Sequence, residues 1–109
     1  MNRKFRFAAI VALAALGYAG VAAAGNPAQG REKSKPCAAC HGDTGMSSAA
    51  DFPRLAGQHA DYLERALREY KSGVRKNPVM AGQVTSLTPA DMADLAAFYA
   101  SQQGLTTRR

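Results

Sequence analysis

The stretch KPCAACHGDTG, Lys35 to Gly45, holds both cysteines of this 109-residue chain and one of its two histidines. Three chemistries use cysteines spaced in this way: a redox dithiol, half of a zinc site, or a covalent haem anchor. Each needs a different scaffold, so choosing among them also chooses the fold.

A redox dithiol would sit at a helix start beside a βαβ sheet, and the sequence has no material for that sheet. Residues 25 to 109 contain no isoleucine and only three valines, Val74, Val79 and Val84, while alanine is abundant. No window alternates apolar and polar residues long enough to make a strand. A structural zinc site needs four ligands, and the inventory is Cys37, Cys40, His41 and His59. His41 follows Cys40 directly, which is an awkward bite for a tetrahedron. The third chemistry uses every residue of the motif. Cysteines at i and i+3 share one helical face, so Cys37 and Cys40 can bond the two vinyl groups along one haem edge. His41, four residues past Cys37, then turns under the ring to offer the iron its proximal nitrogen.

The amino terminus agrees with this reading. Arg3, Lys4 and Arg6 precede an apolar run from Ala8 to Ala24 that closes on Ala22-Ala23-Ala24. A basic n-region, an apolar h-region and an A-x-A site describe a secretory leader, residues 1–24, cut before Gly25. Gly17, Tyr18 and Gly20 within an alanine-rich run make it a weak membrane anchor, so no membrane insertion is expected after cleavage. Covalent haem attachment belongs outside the cytoplasm, and the expected location is the periplasm. Losing Arg3, Lys4 and Arg6 takes Lys+Arg from 14 to 11 against 8 acids, and the net charge from +6 to +3. The remaining charges are interspersed, as in YLERALREYKSGVRK, which argues against a nucleic-acid partner.

The single domain, residues 25–109, sits near the size at which a hydrophobic core alone yields only a few kcal/mol, and such domains need a staple. A Cys37–Cys40 disulfide would close too small a loop to serve. A haem would complete the core. The scaffold reads as all-α, three to four helices around one haem. A first helix runs from about Pro27 and is interrupted by Pro36 just before Cys37. In HADYLERALREYKSG, residues Tyr62, Leu63, Ala66, Leu67 and Tyr70 make an apolar face that Gly73 ends. In LTPADMADLAAFYASQQG, Thr88 is the N-cap, Pro89 opens the helix, and Met92, Leu95, Ala96 and Tyr99 share a face, with Phe98 beside Leu95. Two long stretches, Gly42 to Gln58 and Lys71 to Leu87, are expected as loops wrapped around something.

The motifs CAACHG, FPRLAGQHADYL (Phe52–Leu63), KSGVRKNPVMAGQV (Lys71–Val84) and DMADLAAFYASQ (Asp91–Gln102) together resemble the small class I cytochromes c, close to the bacterial cytochrome c4/c553 group. The likeness covers essentially all of residues 25 to 104. It implies that Met80 is the distal iron ligand opposite His41, and that Pro53 offers its carbonyl to the His41 ring N–H. Gly30 matches the small residue where the first helix crosses the last, against Leu95 and Phe98. Arg75 and Lys76 are placed where they can meet a haem propionate, with a solvated charge as the equal alternative, and Asn77 where it can brace the Met80 loop. Cytochrome c4 carries two such domains and two haems, whereas this chain has room for one.

Other candidates for the sixth ligand are weaker. His59 begins a helix at a surface position. Met46 lies five residues past His41, too near to reach the opposite face of the ring, and Met92 belongs to a packed helical face. The resulting expectation is a non-enzymatic, single-electron carrier with His/Met ligation and transient redox partners, monomeric or weakly dimeric. The alternatives are a ligand-binding haem sensor and an electron-feeding subunit of an oxidase or peroxidase.

Overall fold

A computed structural model describes residues 24–104, so the expected leader falls outside the described residues except for Ala24. Five helices follow in order: α1 (Pro27–Lys33), α2 (Lys35–His41), α3 (Ala60–Ser72), α4 (Pro78–Val84) and α5 (Pro89–Ser101). Among the described residues there is no strand, and none of their helices is long and apolar enough to cross a membrane. The fold class is the all-α one expected, with five helices among the described residues where three to four were expected.

Two boundaries differ from the sequence reading. The first helix breaks at Ser34, two residues ahead of where Pro36 was expected to break it, and Pro36 stands in the first turn of α2. Proline is tolerated there because a first-turn N–H has no intrahelical partner in any case. The stretch Lys71 to Leu87 is not all loop, because it contains α4. Asn77 caps α4 by accepting from the Val79 and Met80 N–H groups at 3.0 and 3.1 Å, and Pro78 opens it. The same device opens α1 at Asn26-Pro27 and α5 at Thr88-Pro89. At α5 it is a full capping box, with Thr88 and Asp91 each bonding the other's backbone N–H.

α5 carries the core. Met92, Leu95, Ala96, Phe98 and Tyr99 are buried, the face read from the sequence, and Leu63 of α3 packs with them. Full burial of a side chain such as Leu95 or Phe98 contributes about 2–3 kcal/mol. α1 crosses α5 so closely that a Cβ on Gly30 would lie 2.0 Å from the Asp94 carbonyl oxygen and 2.7 Å from Phe98 Cβ. Gly30 is thus the crossing residue, and its nearest neighbours across the crossing are Asp94 and Phe98. Asp94 also fastens both ends of α1. Its carboxylate accepts from the Asn26 N–H at 2.8 Å and from Lys33 Nζ at 2.6 Å, and Lys33 reaches Asp91 at 2.8 Å as well. Opposite charges and a backbone amide converge here. The Lys33 ammonium and then the Thr88 N–H hold the Asp91 carboxyl down at about 2.

Candidate functional site

α2 presents the cysteine motif. Cys37 and Cys40 are free, half-buried thiols one helical turn apart, and His41 is buried at the end of the same helix. Cys37 packs on the core, as do Leu55, Leu67 and Leu87. Burial pushes its thiol above the ordinary range, and does the same to the Tyr99 phenol. The Tyr99 hydroxyl has the Cys37 thiol and Ser34 as polar neighbours, in a geometry that leaves it without a formal hydrogen bond.

Gly42 ends α2 with φ +81°, and Gly45 (φ +81°) turns the chain back on itself. The Gly45 carbonyl accepts from the Leu55 and Ala56 N–H groups at 2.8 and 3.2 Å, closing a loop that carries Pro53 across to α2. A Cβ on Gly45 would stand 2.8 Å from the Tyr99 ring, so the turn also sits tight on α5. The Gly57 N–H donates to the Tyr99 carbonyl at 2.9 Å and ties the far end of the loop to α5. The loop delivers the Pro53 carbonyl oxygen to within 2.8 Å of His41 Nδ1. A carbonyl can only accept, so Nδ1 carries the hydrogen and Nε2 keeps its lone pair for a metal. A carbonyl partner of this kind fixes the ring's tautomer and raises its basicity.

The four methionines separate by environment. Met1 is outside the described residues. Met92 is buried in α5, and the sulfur of Met46 lies against Gly104, where a Cβ would meet it at 2.7 Å. Met80 is half-buried in the first turn of α4, with its N–H bonded to Asn77. Arg75 has partners other than solvent. Its guanidinium lies over the rings of Tyr70 and Tyr62 at 5.3 and 5.8 Å, and Nη2 donates to the Tyr62 hydroxyl at 3.2 Å. Gly82 lies in α4 with no protein atom within 4 Å of a Cβ built on it. His59 is the uncapped N-cap position of α3.

The donors suit a c-type haem and not a bare metal ion. Among the described residues no three His, Cys, Asp or Glu side chains form a metal-holding group. What α2 offers is two thiols on one helical face and a single imidazole nitrogen. Among the described residues, Met46, Phe52, Tyr62, Val74 and Val79 remain exposed, although each is large and apolar. That is the pairing of covalent anchor and uncovered apolar surface which a bound macrocycle requires.

Comparison with known proteins agrees with this donor set. The cytochrome c family pattern matches residues 27–103. The chain belongs to the cytochrome c family. It is 46% identical over 92 residues to cytochrome c4 of Pseudomonas aeruginosa, covering 84% of this chain and 46% of the relative. It is 41% identical over 83 residues to cytochrome c-554(548) of Halomonas halodenitrificans, covering 73% of this chain and all of that one. The crystal structure of reduced recombinant cytochrome c4 from Pseudomonas stutzeri superposes with a TM-score of 0.72 at 38% identity, over 75% of this chain and 48% of that chain. This cytochrome c therefore spans about half the length of the curated cytochromes c4 it matches.

Some parts of the site were not read from the sequence. The Gly45 turn that carries Pro53, the α4 helix under Met80 and the tyrosine partners of Arg75 were all missed. Only α4 had a local signal, the Asn77-Pro78 pair.

Proposed function

We propose that this protein is an exported, single-haem electron carrier, with His41 and Met80 as the two axial ligands. The observation that carries the reading is the buried His41 ring, whose Nδ1 is engaged by Pro53 O at 2.8 Å, directly after two free thiols on the same helix. Cys37 and Cys40 hold the macrocycle through their sulfurs. His41 offers Nε2 on one face, and Met80 offers its thioether on the other from a helix turn braced by Asn77. The haem supplies a one-electron iron couple, which a thioether ligand shifts toward the reduced form. With both axial positions taken by side chains, the protein has no open position for substrate, so its work is to bind, orient and shield. Its redox partners need only a transient docking surface. Residues 1–24 act as a leader that exports the chain to the periplasm. In support, a Cβ on Gly25 would lie 1.9 Å from the Ala93 carbonyl oxygen, so the folded domain already touches α5 at its expected first residue.

The test is spectroscopic. Purified periplasmic protein is expected to have the mass of residues 25–109 plus one haem, retained through acid–acetone extraction. The ferric form is expected to show the red-end charge-transfer band of Fe(III)–thioether coordination. Met80→Ala should abolish that band and let the ferrous protein bind carbon monoxide, whereas Met46→Leu and Met92→Leu should keep the band. A wild-type protein that binds carbon monoxide readily would overturn the carrier reading in favour of a ligand-binding one.

A further inference from the structure

Arg75 lies in the short stretch between α3 and α4, where a cation would ordinarily be solvated. Here it is held from several sides. The guanidinium stacks over Tyr70 and Tyr62, donates to the Tyr62 hydroxyl, and has Nε 4.0 Å from a Glu69 carboxylate oxygen. Its own backbone N–H donates to the Glu69 carbonyl at 3.1 Å, past the left-handed Gly73 that ends α3. Arg75 thus clamps the outgoing chain back onto the helix it has just left. The returning chain is fixed as well, because Lys71 Nζ donates to the Leu87 carbonyl and Val84 is buried.

Between these two anchors sits α4, with Met80 in its first turn. Four residues separate Arg75 from Met80, and few of their torsions are free. Pro78 has a locked φ, and Asn77 is committed to capping the Val79 and Met80 N–H groups. Where Arg75 is held therefore decides where the Met80 backbone is held. A thioether is a weak ligand to ferric iron and stays bound only while the fold keeps it in place. We infer that the Arg75–Tyr62–Tyr70 cage is the positioning device for the Met80 sulfur, limiting how often it swings off the iron. This rests on the reading of Met80 as the axial ligand.

Opening of the Met80 segment is read by imidazole, which binds ferric haem only when the sulfur has left. On the purified haem-loaded protein, Arg75→Ala is expected to raise the apparent imidazole affinity roughly tenfold, equivalent to about 1.4 kcal/mol. That is the scale of two exposed cation–π contacts and one hydrogen bond. Tyr62→Leu removes one ring and the hydroxyl and is expected to raise it several-fold. Adding it to Arg75→Ala should bring little more, because both break the same cage. Arg75→Lys, which keeps the charge without the planar fork, should resemble Arg75→Ala more than wild type. Arg68→Ala loses an exposed pair with Glu64 on the same helix, 2.8 Å in length, and should stay within twofold of wild type. Wild-type protein without the thioether band would sink the ligand assignment itself. With the band present, an Arg75→Ala affinity within twofold of wild type overturns the cage. So does an Arg75→Ala effect that Tyr62→Leu neither reproduces nor diminishes, which would mean that Arg75 acts on the haem directly.

Discussion

Gly30→Ala places a methyl group where α1 crosses α5. The new Cβ would stand 2.0 Å from the Asp94 carbonyl oxygen, 2.6 Å from its carbon and 2.7 Å from Phe98 Cβ. Two of those atoms are backbone, inside a helix, and cannot rotate aside. The helices must part by about 1 Å before the methyl clears even the closest contact acceptable in a packed interior. Overpacking of this kind costs about 3 kcal/mol when the neighbours cannot yield. Alanine is the better helix former, which offsets about 1 kcal/mol. The net loss is then about 2 kcal/mol. Parting the helices also stretches the Asn26–Asp94 and Lys33–Asp94 bonds, now 2.8 and 2.6 Å, so the loss should not fall below this value.

Urea unfolding of the haem-bound protein measures it. A small domain has an m-value near 1 kcal/mol/M, so the midpoint should drop by about 2 M with m unchanged. Gly82→Ala is the internal control. It too lies in a helix, but its Cβ meets no protein atom within 4 Å, so it should be neutral or stabilising by up to about 1 kcal/mol. If Gly30→Ala is no worse than Gly82→Ala, the close crossing does not exist and the placement of α1 on α5 is wrong.

Tyr99→Phe deletes a buried hydroxyl that lacks a formal hydrogen bond and should stabilise by about 1 kcal/mol in the same unfolding experiment. A loss instead would mean that the hydroxyl has a partner, with Ser34 the first candidate. Acid stability should track Asp91, whose folded pKa is depressed by Lys33 and the Thr88 N–H. The stability it contributes is complete above its ordinary value of 3.8 and lost as pH falls through about 2. Asp91→Asn can still accept the Thr88 N–H, so it should be less stable than wild type at neutral pH, with the gap closing across that window. A gap that stays constant down to pH 2 would show that the Lys33 contact contributes nothing.

What could be read from the sequence divides along one physical line. The residues proposed to bond the haem lie within two helical turns, so the spacing of Cys37, Cys40 and His41 already sets their relative directions. α5 was legible for the same reason, since Thr88, Pro89 and Asp91 form a complete start signal and the apolar residues repeat at helical steps. α4 was missed because seven residues containing Gly82 and Gln83 show no periodicity, although Asn77-Pro78 is the same start signal as Thr88-Pro89 in a weaker setting. On α3 the apolar face was legible, but not which part of it the protein covers. Leu63 is buried while Tyr62, its neighbour, remains exposed, because coverage depends on what packs there from elsewhere in the chain.

The same limit governs the site. That Gly30 meets Asp94 depends on the axial register of two helices more than sixty residues apart, which no local pattern encodes. Arg75 stands among Gly, Lys and Asn and reads as a solvated charge; only the left-handed turn at Gly73 brings it back over Tyr70 and Tyr62. Local spacing thus names the atoms that would bond the haem, while tertiary contacts determine how firmly they are held. A substitution at Cys40 or His41 should therefore abolish the centre, whereas one at Arg75, Tyr62 or Gly30 should leave it assembled and change how readily it opens.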